Sequence, residues 1–157
     1  MAGVTSVFNT GVINSYTAAK TIGQIIAPTN QRLLLAEFCI AARGVNSSSV
    51  DLLLELLIQT SAGTGLTTWT PQKLYEGDDE TLQATGLLGN TTNAANTAEP
   101  SGTTVRFTDF LCPYHGKYTW AAYTEDRMIP IKGGTRLGFR VTAGANVELN
   151  LRCVLKE

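Results

Sequence analysis

Few residues of this 157-residue chain have the types and spacing that chemistry needs. His115 is the single histidine. Cys112 stands three residues before it and Asp109 six before, so three potential metal ligands share one segment. A site built on several imidazoles is excluded. A Cys112–His115 nucleophile pair needs a third, orienting group, and Pro113 fixes the turn between the two. The segment therefore reads as a turn histidine beside a structural cysteine. No Gly-x-Ser-x-Gly elbow and no phosphate loop ending in Gly-Lys-Ser or Gly-Lys-Thr is present. Gly133, Gly134 and Gly138 superficially resemble a nucleotide fingerprint, but they lead into a strand and not into the helix start whose amides would hold phosphate. Glu76, Asp78, Asp79 and Glu80 offer oxygen ligands without the spacing of a calcium loop, and read as an exposed acidic turn. Trp69, Trp120, Tyr114, Tyr118 and Tyr123 are the raw material of a sugar-stacking platform, though such rings more often serve core and subunit contacts. The expectation is a protein that is not an enzyme, with no cofactor and no metal.

Bulk composition points the same way. Charged residues make up 16% of the chain against a usual figure of about 25%. Twelve basic and thirteen acidic residues leave a net charge of -1, so nothing resembles a phosphate-binding face and nucleic acid is a poor partner. No apolar run is long enough to cross a membrane as a helix, and the first residues lack the basic start and apolar run of a signal peptide. Cys39, Cys112 and Cys153 are odd in number and widely spaced, which reads as reduced structural thiols in a chain made in a cytoplasm.

The elements that must position these residues are strands. Val147, Leu149, Leu151, Cys153 and Leu155 alternate with Glu148, Asn150, Arg152 and Lys156, the pattern of a strand with one wet face. Leu137, Phe139 and Val141 alternate in the same way, as do Tyr118, Trp120 and Ala122, and Val105, Phe107, Asp109 and Leu111. Residues 31–42 are almost continuously apolar and read as a strand buried on both faces. That is more apolar surface than one small core absorbs, and it predicts self-association through sheet faces. Residues 50–60 fit period two and helical spacing alike, with Ser48 and Asp51 resembling a capping box. The strand-like flanks and the Gly63-Thr64-Gly65 turn favour a strand. Residues 63–104, rich in Thr, Gly, Asn and Ala, read as a long surface loop with at most one short helix or strand. Seven or eight strands with Gly, Pro and Asn turns predict an all-β, single-domain sandwich over 21–157, of jelly-roll or Greek-key type.

Residues 1–20 are small, polar and uncharged until Lys20. Val4, Phe8, Val12 and Ile13 are scattered among them without a clean period. The segment reads as an N-terminal arm whose apolar side chains contact a partner.

With the strands placed, the chain resembles the small jelly-roll head decoration, or cement, proteins of tailed bacteriophages. The likeness runs through Arg32-Leu33-Leu34-Leu35-Ala36-Glu37-Phe38, Val50 to Leu57, and Gln59-Thr60-Ser61-Ala62-Gly63-Thr64. It continues through the loop ending Ala98-Glu99-Pro100, the aromatic strand around Trp120, the Pro130–Gly134 turn and Arg136-Leu137-Gly138. It covers most of residues 30–157 and is one of pattern, with no single unique motif. What it implies is a homotrimer on the capsid exterior of a virion, bound to the major capsid protein lattice and clamping it against packaged DNA. A receptor- or carbohydrate-binding tail module is the alternative, and would show a cluster of exposed aromatics.

Overall fold

A computed structural model describes residues 4–14, 18–43, 52–75, 77, 81–88, 100, 104–111, 116–145 and 147–157. The strands are β1 (Thr5–Asn14), β2 (Lys20–Ile26), β3 (Leu33–Arg43), β4 (Leu52–Gln59), β5 (Thr67–Trp69) and β6 (Gln72–Lys73). They continue with β7 (Thr85–Leu88), β8 (Thr104–Leu111), β9 (Lys117–Ala121), β10 (Ile129–Ile131), β11 (Arg136–Thr142) and β12 (Glu148–Lys156). One 3-10 turn, Glu125–Arg127, joins β9 to β10.

The strands form two antiparallel sheets. The first has the order β10-β3-β12-β1-β6, with β9 also pairing β3; the second has the order β5-β7-β2-β11-β4-β8. Eight of the strands divide evenly between the sheets, giving β1-β12-β3-β9 in one and β2-β11-β4-β8 in the other. Two antiparallel sheets packed face to face make an all-β sandwich, as the strand pattern predicts. The core lies between the sheets. Leu149, Leu151, Cys153 and Leu155 of β12 face Leu137, Phe139 and Val141 of β11, with Leu52, Leu54 and Leu56 of β4, and all are buried. Within residues 50–60, Leu52–Gln59 thus resolve as a strand; the Ser48–Asp51 capping box lies outside the described residues.

The N-terminal arm is not borne out. Residues 5–14 form β1, which lies between β12 and β6 and pairs with β12 from Thr5↔Lys156 to Asn14↔Glu148. Val4, Phe8 and Ile13 are buried in the chain's own core and are closed to any partner, and Val12 is half-buried. Two features hid the strand. Ser6 stands on the inward face between Val4 and Phe8, and its side chain is wholly buried. A bulge between Asn9 and Val12, with Gly11 at φ 63°, then shifts the inward set from even to odd positions. A bulge inserts one residue and so reverses the parity of all that follow.

The same device explains the apolar run of β3. Its register with β12 slips between Leu35 and Glu37, leaving Ala36 unpaired. Leu33 and Leu35 face inward before the slip, and Phe38 and Ile40 after it. Much of what looks like apolarity on two faces is one face recorded at two parities, so the surplus available for self-association through β3 is smaller than the run suggests. Residues 63–104 also differ from expectation. Three short strands, β5, β6 and β7, interrupt them, pinned by the buried Trp69 and Ala84.

Candidate binding surfaces

Three regions gather side chains able to recognise something. The first is a buried amide network on the outer face of the second sheet. Gln24 and Gln59 are essentially inaccessible there. Gln24 Nε2 donates to Gln59 Oε1 at 2.6 Å and to the Ser61 carbonyl at 3.1 Å. Gln59 Nε2 donates to Thr21 Oγ1 at 3.0 Å, and Gln24 Oε1 accepts from the Gly63 amide at 3.1 Å. Buried amides must find partners or cost stability, and here they find them in the loop after β4, which they hold against the sheet. Gly138 makes room for this, because a Cβ at that position would run into the Gln59 side-chain amide. Beside the network, Arg140 Nε meets Glu55 Oε2 at 2.8 Å. Sequence reading missed these glutamines; the available signal was one glutamine inside each of two apolar runs, Ile22–Ile26 and Leu52–Gln59.

The second region is an aromatic seam where β8 and β9 close one side of the sandwich. Phe38 is fully buried, with Trp120 stacked on it at 5.6 Å and Phe107 edge-on at 5.7 Å. Tyr118 also stacks on Phe38, at 6.0 Å. Its hydroxyl donates to Asp109 Oδ2 at 2.7 Å. Burial pushes the Tyr118 hydroxyl up to a pKa of about 12, with the hydrogen bond to Asp109 and its negative charge adding to the effect. Charged residues flank this side: Arg106 on β8 and Lys117 on β9. Pro130 stands in β10, the other short strand along β3.

The third region is the opposite side, bounded by β5 and β6. Trp69 is buried edge-on against Phe8 at 4.7 Å, and its Nε1 donates to the Asn9 carbonyl. A cavity of about 240 Å³ beside it is lined by Thr68, Trp69, Pro71, Leu82, Ala84 and Thr85, among others. Just past β6, Leu74 and Tyr75 are 45% and 62% exposed. A second cavity, of about 340 Å³, lies at Val4, Gln31, Thr81, Gln83 and Glu157. There the Glu157 carboxylate accepts from the amides of Gln83 and Ala84, and the Glu157 amide donates to the Val4 carbonyl.

The structure brings few of the sequence-singled residues together. The sugar-platform rings are dispersed: Trp69 is in the core, Tyr118 and Trp120 are in the seam, and Tyr123 stands alone at 91% exposure. Asp109 is the hydrogen-bond partner of Tyr118. Cys112, Tyr114 and His115 lie outside the described residues, as do Glu76, Asp78, Asp79 and Glu80. Gly133 and Gly134 form the turn into β11, where a Cβ on Gly133 would meet three carbonyl oxygens. Cys39 and Cys153 are free thiols, and burial pushes the Cys153 thiol well up, which keeps it from the reactive thiolate form. Among the described residues no three His, Cys, Asp or Glu side chains are grouped to hold a metal ion. No helix among them is long and apolar enough to cross a membrane. No family model, no curated protein and no solved structure matches the chain.

Proposed function

We propose that this chain is a non-enzymatic virion structural protein that binds the outside of an assembled phage capsid and stabilises it. The observation that carries the reading is where the resemblance falls. Four of its segments fall on β3, β4, β9 and β11, central strands of the two sheets, so much of the pattern that resembles cement proteins coincides with the framework of the fold. A clamp of this kind needs extended, well-ordered surfaces and no reacting group. By binding the finished lattice and not its free subunits, it stabilises the lattice through mass action. With β1 built into the sandwich, attachment falls to the exterior of the folded domain and not to a free arm.

The test uses heads of the parent phage prepared without this protein. Added back at micromolar concentration, the purified chain should co-sediment with the heads and raise the temperature at which they release DNA. Failure to co-sediment, or an unchanged release temperature at full occupancy, overturns the reading. Binding to host-cell envelopes without binding to heads would move it to a receptor-binding tail module.

A further inference from the structure

The segment that leads into β7, Thr81–Ala84, has empty space on both sides. On one side is the cavity of about 340 Å³ that Thr81 and Gln83 line together with Val4, Gln31 and Glu157. On the other is the cavity of about 240 Å³ beside Trp69, which Leu82 and Ala84 help to line. Exposure follows the same division: Thr81 and Gln83 are exposed, Leu82 is half-buried and Ala84 is buried. Protein interiors are close-packed, and a wall with a void on each face lacks contacts that hold other segments in place.

One carboxylate holds it instead. The Gln83 amide donates to Glu157 Oε2 at 2.9 Å and the Ala84 amide to Glu157 Oε1 at 3.2 Å. Two successive amides turned to one side make a concave seat for an anion, and bonds to a charged acceptor are stronger than neutral ones. Beyond the ladder that begins at Thr85, these are the only hydrogen bonds joining residues 81–84 to the other described residues. The seat and its anion belong to different sheets. The segment runs into β7 of the second sheet, whereas Glu157 follows β12 of the first and is fixed there by its amide, which donates to the Val4 carbonyl. Trp69 is fixed as well, by its edge contact with Phe8 and its bond to the Asn9 carbonyl. Of the parts around the smaller cavity, Thr81–Ala84 is the one free to move.

We propose that Thr81–Ala84 is a strap across the cavity beside Trp69, latched by the Glu157 carboxylate, and that release of the latch admits small uncharged molecules to the indole. The class of guest follows from the walls. Thr68, Thr70 and Thr85 offer hydroxyls, and Pro71, Leu82 and Ala84 offer apolar surface. None of the described lining residues is charged, so an ion would lose its water there without gaining a partner. The inference does not depend on the capsid reading.

The test uses the full chain and acrylamide, a small neutral quencher of indole fluorescence. Hydrogen exchange followed by NMR reads the latch, and quenching reads the cavity. In the wild type the Gln83 and Ala84 amides should be protected. Glu157→Ala should speed their exchange by on the order of 10- to 100-fold, as loss of a charged acceptor does, and should raise acrylamide quenching. Glu157→Gln keeps the size and loses the charge, and should fall between. The added quenching should vanish when Trp69→Phe is combined with Glu157→Ala, which leaves Trp120 as the only tryptophan. The Gly63 amide, held by Gln24 in another loop, reports on the rest of the fold and should keep its exchange rate. Four results overturn the inference: unprotected Gln83 and Ala84 amides in the wild type, exchange unchanged by Glu157→Ala, an equal rise at Gly63, or quenching that fails to rise or rises equally without Trp69.

Discussion

At the scale of residues, Gly138 and Gln59 show how one missing methyl group organises a surface. Gln59 lies across the Gly138 backbone and from there reaches Gln24 and Thr21. Gly138→Ala must displace that amide and leave buried donors without partners. The expected cost is about 1–3 kcal/mol, the range for overpacking and for an orphaned buried polar group. Urea denaturation checks it, and Gly77→Ala, where an added Cβ meets nothing within 4 Å, is the matched control. Tyr118 yields a second prediction. Its hydroxyl is held protonated, with the pKa raised from 10.0 to about 12. A raised folded-state pKa means that the stability it contributes is fully present below pH 10, the unfolded value, and is lost as pH rises through about 12. An ultraviolet titration of the native protein should show Tyr118 ionising late. Asp109→Asn should bring that step to lower pH, since it removes the negative charge and the carboxylate acceptor. A Tyr118 step unmoved in Asp109→Asn would leave burial as the whole cause.

At the scale of elements, β1 is where structure and pattern part most sharply. Two of the inward-facing residues in and beside it, Phe8 and Ile13, belong to the central core, and the Phe8 ring closes on Trp69 from across the sandwich. Removing residues 1–14 therefore exposes one edge of β12 and opens the core. The deletion should abolish cooperative thermal unfolding, whereas deletion of a detached arm would leave it intact. Phe8→Ala alone should cost about 3–5 kcal/mol, the range for truncating a buried aromatic, read as a lowered denaturant midpoint. Strands were legible in the sequence in proportion to how unbroken their alternation is. β12 and β11 keep one parity from end to end and could be assigned residue by residue. In β1 the alternation is interrupted by Ser6 on the inner face and by the Gly11 bulge, and in β3 by Ala36, so period two fails although both are strands. β5, β6 and β7 have three, two and four residues, too short for any period to declare itself.

At the scale of the whole molecule, fold class was readable because alternation and turn residues recur along most of the chain. The candidate surfaces were not, because each is assembled from segments far apart in sequence. The glutamine network joins Thr21, Gln24, Gln59 and Gly138, and the aromatic seam joins Phe38, Phe107 and Trp120. The pairing of β1 with β12 also sets a timetable for the chain on the ribosome. Thr5 waits for Lys156 and Asn14 for Glu148, and β3 needs the same strand on its other flank. At about 5–20 residues per second, the interval between the emergence of β1 and that of β12 is roughly 7 to 27 seconds. Throughout it, a ten-residue strand with a phenylalanine at its centre has no partner but a two-residue β6. Until then the unpaired edge of β1 is open to pairing with the wrong neighbour, and crowded polysomes are where that exposure is greatest.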